Sequence, residues 1–184
     1  MPGLRRAWRD SEADGDVQSR APWLAYVVVF MLATVTYQQN FVWTNEIALW
    51  DQAVRRAPTK PRPLINLARV LEAKHFDDAA VSLSLRAIEA ARDRRRSPYQ
   101  RAYSRAAALT NLGHLYAKHG ETKRAMDVLD MALAEQPKFV AALFNKSAVL
   151  ARLGRCGESG RSWDRAYANA TDAIPPRPMC EGVQ

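Results

Sequence analysis

LTNLGHLYAKHGETKRAMDVLDMALAEQP, residues 109–137, is the stretch whose reading decides how this chain folds. Leu109, Leu112, Gly113 and Tyr116 fall on one face of a first helix, and Gly120 is placed to end it. Ala125, Leu129, Ala132 and Leu133 line a second helix that Pro137 stops. Two antiparallel helices pack closely only where small side chains sit at the approach of their axes, with larger ones filling the gaps between turns.

The pattern recurs outward from this unit. Ala132 and Ala166 are 34 residues apart, as are Ala53 and Ala87, and each is followed by a large side chain: Leu133, Tyr167, Val54 and Ile88. Asn111-Leu112-Gly113 is echoed by Asn145-Lys146-Ser147 and foreshadowed by Asn66-Leu67-Ala68. A fixed period of this length is the signature of a solenoid of helix pairs. Between Ala87 and Ala132 the interval is 45, so 11 extra residues sit around Arg92 to Ser104, lengthening one helix or making one loop. The excess of Ala, Leu and Arg, with few β-branched runs, also points to an all-α chain.

The order of these residues resembles the tetratricopeptide repeat (TPR) family over roughly residues 44 to 167. The unit from Val140 carries Lys146 and Ser159 where the family prefers Leu and Ala, which suits an end cap. In the unit from Pro61, Lys74-His75 replaces the glycine turn and Ser84 replaces a large apolar residue. Residues 46 to 58 match only a second helix. The resemblance implies a solenoid of about three to four TPR-like helix pairs over residues 41–172; the uncharged stretch before it is expected to form a single transmembrane helix over 21–40, and residues 1–20, short of apolar groups, a disordered leader. A Pro-rich tail over 173–184, holding Pro175, Pro176 and Pro178, cannot continue a helix.

Ala21 to Tyr37 contains no ionised residue. As a helix it would rise about 25 Å, a little short of a bilayer core, and Gln38 to Asn40 would complete it at the interface. Trp23, Tyr26, Tyr37 and Trp43 lie toward the two ends, where aromatic rings favour the boundary between lipid and water. Arg5, Arg6, Arg9 and Arg20 precede the stretch and no basic residue follows until Arg55, which places the amino end in the cytoplasm and the repeats in the periplasm or another extracytoplasmic space. A buried soluble helix and a cleaved signal peptide are the competing readings. Cys156 and Cys180 then fall in an oxidising compartment, where a disulfide is permitted and two unlinked thiols are the alternative.

No chemistry is legible in the remaining residues. His75, His114 and His119 lack the spacing of a zinc helix, and no phosphate loop, nucleophile elbow or dinucleotide fingerprint occurs, so the expectation is a non-enzyme without cofactor or metal. In a TPR register, successive first helices would present Arg62, Ile65, Asn66, Arg69 and Glu72, then Thr110, Asn111, His114 and Lys118, then Phe144, Asn145 and Arg152 to a groove whose lining is mostly basic. The resemblance implies that Asn66, Asn111 and Asn145 hold the backbone of an extended ligand, or else brace adjacent helices. Arg62, Arg69, Lys118 and Arg152 would favour carboxylates, so the expected partner is a protein or peptide with acidic groups.

The formal net charge of +8 gathers most densely at Arg92, Arg94, Arg95, Arg96, Arg101 and Arg105. With Tyr99 and Tyr103 as the neighbouring aromatic rings and an external location, a solvated loop, lipid headgroups or an acidic partner are the readings, and no nucleic acid is expected. Residues 37–67, with Trp43, Trp50, Pro58, Arg62 and Asn66-Leu67, resemble the join between membrane helix and first repeat in polytopic TPR membrane proteins of the glycosyltransferase type. That likeness implies shared ancestry of anchor and repeats without transferase activity. Three roles follow: a scaffold that assembles or stabilises a membrane or periplasmic complex, a periplasmic chaperone or cytochrome c maturation-type factor, and a noncatalytic subunit of a membrane glycosyltransferase.

Overall fold

The computed structural model describes residues 23–38, 40 and 44–180. The leader over 1–20, together with residues 21, 22 and 39 of the expected span and 181–184 of the tail, lies outside the described residues. Contacts divide the chain into two units, Met1–Glu46 and Ile47–Gln184.

In the first unit, α1 covers residues 23–38, and every one of its side chains is exposed, including Trp23, Phe30 and Tyr37. No helix among the described residues is long and apolar enough to cross a membrane. The span expected over 21–40 includes residues outside the described ones, and the described part does not by itself support a membrane anchor. At 1.5 Å per residue the described helix rises about 24 Å, against about 30 Å of hydrocarbon.

The second unit is built from α2 (Glu46–Arg56), α3 (Pro61–Ala73), α4 (Asp77–Ala90), α5 (Pro98–Lys118), α6 (Thr122–Glu135), α7 (Val140–Arg152) and α8 (Cys156–Asn169). Every described element is helical. α3 pairs with α4, α5 with α6 and α7 with α8, and each pair touches only its neighbours in sequence, which is the organisation of a TPR-like helical repeat. Among the described residues there are three complete pairs, with α2 standing before them in sequence as a second-type helix. Val54 of α2 is buried in the same cluster as Leu64, Leu67 and Leu83, so the solenoid core begins there.

Small residues sit where the helices meet. Ala80, Ala87, Ala125, Ala132 and Ala166 are completely buried, while Ala53 is half-buried. Where serine replaces an expected apolar residue, its hydroxyl has a local partner: Ser84 donates to the Ala80 carbonyl at 2.8 Å, and Ser159 donates to the Ser147 carbonyl at 2.9 Å. A buried hydroxyl that is paired in this way costs little. The three turns inside the pairs share one conformation, with φ of 64° at His75, 77° at Gly120 and 69° at Gly154.

The tail does not run free. Cys180 is disulfide-bonded to Cys156 at the start of α8, with Cα atoms 5.6 Å apart. The Trp163 indole donates to the Pro175 carbonyl at 3.2 Å, and the Arg177 guanidinium lies over the Trp163 ring. Residues 173–180 are thereby laid back along α8.

Candidate partner-binding groove

The 11 inserted residues make both a turn and a longer helix. Arg95 N–H donates to the Asp93 carboxylate at 3.0 Å and Arg96 N–H to the Asp93 carbonyl at 3.2 Å, closing a tight turn. Ser97 then caps α5 by accepting from Gln100 N–H at 3.2 Å, and Pro98 occupies the first helical turn, where its missing N–H costs nothing. The result is a helix of 21 residues, against 13 for α3 and α7, whose extra turns stand beside the start of α3 and α7.

Those extra turns close one end of a groove running across the first helices. A cavity of ≈ 730 Å³ is lined by Arg62, Ile65, Asn66 and Arg69 of α3, by Arg96 of the turn, by Tyr99, Gln100, Tyr103, Ser104, Ala107, Thr110 and Asn111 of α5, and by Phe139 and Ala141. The lining contains no carboxylate. Tyr99 and Tyr103, one turn apart, stack with ring centroids 6.3 Å apart, and Tyr103 meets Phe139 edge to face at 5.5 Å. Three aromatic rings therefore form a continuous ladder, two of them largely exposed. A smaller hollow of ≈ 220 Å³ continues the groove past Arg69, Glu72, Asn111, His114 and Asn145.

The structure sorts the sequence-predicted residues into two sets. Arg62, Ile65, Asn66, Arg69, Thr110, Asn111, His114 and Asn145 line the two cavities, whereas Lys118, Phe144 and Arg152 do not. Lys118 is bonded to Asp77 at 2.8 Å and Glu72 at 3.3 Å, so its charge is neutralised inside the solenoid rather than offered to a ligand. Arg152 donates to the Ala117 carbonyl at 2.9 Å, tying α7 to the end of α5. Phe144 is half-buried. Of the three asparagines, Asn111 donates to the Ile65 carbonyl at 3.3 Å and so braces α5 against α3, while Asn66 and Asn145 make no side-chain hydrogen bond among the described residues. Thr110 spends its hydroxyl on the Ala106 carbonyl at 2.7 Å.

Sequence reasoning missed Arg96, Tyr99 and Tyr103 as groove residues. The signal was present in Ser97-Pro98, a cap followed by an N1 proline, which starts a helix whose first turns carry Tyr99 and Tyr103 on the same stripe as Thr110. The arginine cluster is split by that helix. Arg96 joins the groove, whereas Arg92, Arg94, Arg101 and Arg105 surround a separate hollow beside Glu135, with Arg105 paired to Glu135 at 2.7 Å.

Electrostatics separate the two ends of the groove. The hydrogen bond from Lys118 holds the Asp77 carboxyl below the usual carboxylate range, and the same bond raises Lys118 above the usual lysine range. His119 lies 3.1 Å from Asp77, and His114 lies 3.5 Å from Glu72. Among the described residues no cluster of His, Cys, Asp or Glu is arranged to hold a metal. At the other end, Arg62, Arg69 and Arg96 have no ion-pair partner among the described residues, and the Nε and Nη2 atoms of Arg96 are buried without a hydrogen-bond partner.

No protein-family model matches the chain, and none of the curated proteins does. Among solved structures the chain is similar to MamA, at 14% identity and a TM-score of 0.37, covering 73% of this chain and 92% of that one. A likeness this weak adds nothing to the helix pairing described above.

Proposed function

We propose that this protein is a noncatalytic scaffold that docks a protein or peptide partner in the groove across α3, α5 and α7 and so helps to assemble or stabilise a membrane or periplasmic complex. The observation that carries this reading is the groove itself: a cavity with three arginines, a ladder of aromatic rings and no acid in its lining. Unpaired guanidinium groups favour carboxylates through charge-assisted hydrogen bonds, and aromatic rings supply apolar contact area at low entropic cost.

The location is part of the proposal. α1 presents apolar side chains on all its faces, as a helix does when lipid or another chain surrounds it. A disulfide between Cys156 and Cys180 belongs to an oxidising compartment, which supports an external position for the repeats and a cytoplasmic amino end. The second reading, transient holding of exported chains by a chaperone or maturation factor, draws on the exposure of Tyr99 and Tyr103.

Co-purification in mild detergent tests the groove. One dominant partner in stoichiometric amount, lost when Asn66→Ala and Arg69→Ala are combined, is the scaffold outcome. A crowd of clients released by the same variant selects the chaperone, and an unchanged set of co-purifying proteins removes the groove from the function. Topology is tested by labelling Gly120→Cys from outside intact cells with both native cysteines replaced by serine; protection of that position would reverse the orientation.

A further inference from the structure

We propose that the arginines between Arg92 and Arg105 form a docking surface for the phosphate headgroups of anionic lipid, separate from the groove. The inference rests on the reading of α1 as a helix held in a membrane, and it gives the repeats a second contact with that membrane.

Charge is concentrated in this segment. Residues 92–105 hold six arginines and a single acid, Asp93, which accounts for more than half of the chain's formal net charge of +8. Asp93 is engaged in closing the turn, where its carboxylate accepts from Arg95 N–H at 3.0 Å. Four of the arginines, Arg92, Arg94, Arg101 and Arg105, line a hollow of ≈ 450 Å³ whose one acid is Glu135. Arg105 is taken by Glu135 at 2.7 Å, and Arg92 meets Glu89 at 3.0 Å in an exposed pair of the kind that contributes little. Arg94 and Arg101 have no ion-pair partner among the described residues, and Arg92 and Arg94 are exposed to solvent. Attraction to a charged surface depends on the summed field and needs no fixed orientation of any one guanidinium.

The uncharged part of the lining selects among anionic partners. It consists of Ala91, Pro98 and Ala102, so the hollow offers neither an aromatic ring to stack a base nor a large apolar socket for the anchoring side chain of a protein. A headgroup layer requires neither, and each arginine beside an anionic membrane strengthens attachment about fivefold. Pro98, Arg101, Ala102 and Arg105 recur at the spacing of one stripe of α5, whereas Tyr99, Tyr103 and Ala107 line the groove. A membrane and a partner can therefore engage different stripes of the same helix. Both stripes begin in the insertion that breaks the 34-residue period, so the lipid contact belongs to this chain rather than to the regular repeat.

Hydrogen–deuterium exchange on the full chain in lipid nanodiscs provides the test, comparing discs of phosphatidylcholine alone with discs holding about three-tenths phosphatidylglycerol. Amide exchange over residues 92–105 is expected to slow about fivefold or more in the anionic discs and to recover at about 0.5 M salt, where screening shortens the reach of surface charge. Arg94→Gln combined with Arg101→Gln should abolish the slowing. Lys74→Gln combined with Lys123→Gln removes the same charge from two exposed positions elsewhere and should leave it intact. Circular dichroism confirms that both variants fold. Equal exchange in the two kinds of disc, or the same response from both variants, overturns the proposal. So does equal slowing in neutral discs on adding inorganic phosphate, which would assign the hollow to a free ion, or on adding a short polyglutamate peptide, which would assign it to an acidic protein. Incorporation into neutral discs reads α1 separately: a chain that enters them without lipid-dependent slowing loses the patch alone, one that joins only anionic discs and slows there loses the α1 reading, and one that joins neither loses both.

Discussion

A Cβ atom added to Gly113 would lie 2.8 Å from Cγ of Leu129, a side chain that is completely buried between α5 and α6. The contact shows how closely these two helices approach in the unit that defines the repeat. Gly113→Ala is expected to cost about 1–3 kcal/mol through overpacking, and Gly113→Leu more than that. Gly157→Ala is the control, because the added Cβ would make only ordinary contact, at 3.7 Å, with the end of Arg161. Chemical denaturation of the three variants measures the difference, and a Gly113→Leu protein as stable as the wild type would remove the helix register.

His75 holds the left-handed conformation that glycine holds at the two equivalent turns. A residue with a Cβ pays about 1 kcal/mol there, so His75→Gly should stabilise the chain by about that amount. Gly120→Ala should destabilise it by a similar amount, although the space around Gly120 is open. Thermal denaturation of the pair decides whether backbone conformation, rather than a side-chain contact, governs this position.

Asp77 and Lys118 give the solenoid a defined dependence on pH. The lowered carboxyl contributes stability that is complete above its unfolded pKa near 4 and is lost as the pH falls through the lower folded value. The raised ammonium contributes stability that is complete below its unfolded pKa near 10 and is lost as the pH rises through the higher folded value. The difference in Tm between wild type and Lys118→Met should therefore be present at neutral pH and close in acid below about pH 4. A difference that persists undiminished at the lowest pH would show that Lys118 contributes through packing of its stem instead.

Cleavage of the Cys156–Cys180 bond should release the tail from α8. A sequence separation of 24 residues corresponds to about 3 kcal/mol of chain entropy removed from the unfolded state. Adding a reductant, or changing Cys180 to Ser, is expected to lower Tm and to open residues 173–180 to proteolysis. An unchanged proteolysis pattern would mean that the Trp163, Pro175 and Arg177 contacts hold the tail without the covalent link.

Much of this architecture was legible in the residues, because a period of 34 with small side chains at fixed positions leaves helix pairs few ways to pack. Ala87, Ala132 and Ala166 are buried as that beat requires, and Arg62, Asn66 and Asn111 border the cavity that crosses the first helices. The departures have physical causes. Lys118 and Arg152 lie on the correct helices, but they sit in the last turns, where a long side chain reaches neighbouring acids or a helix-end carbonyl before it reaches a ligand. Periodicity located the 11-residue insertion around Arg92 to Ser104 but not its course, since an insertion has no counterpart in the other units. The turn closed by Asp93 and the cap at Ser97 determine its course, and those local hydrogen bonds carried Arg96 and Tyr99 into the groove. Which way the tail would run was equally invisible, because it depends on Trp163 and Cys156 far back along the chain.

A repeat array whose last helix is bare can grow by accepting another molecule at that end, and copies can then add head to tail into a filament. Here the segment from Ala173 to Cys180 is held against α8 by the Trp163–Pro175 hydrogen bond and the Cys156–Cys180 disulfide. A molecule adding beside α8 would meet that covalently tethered segment.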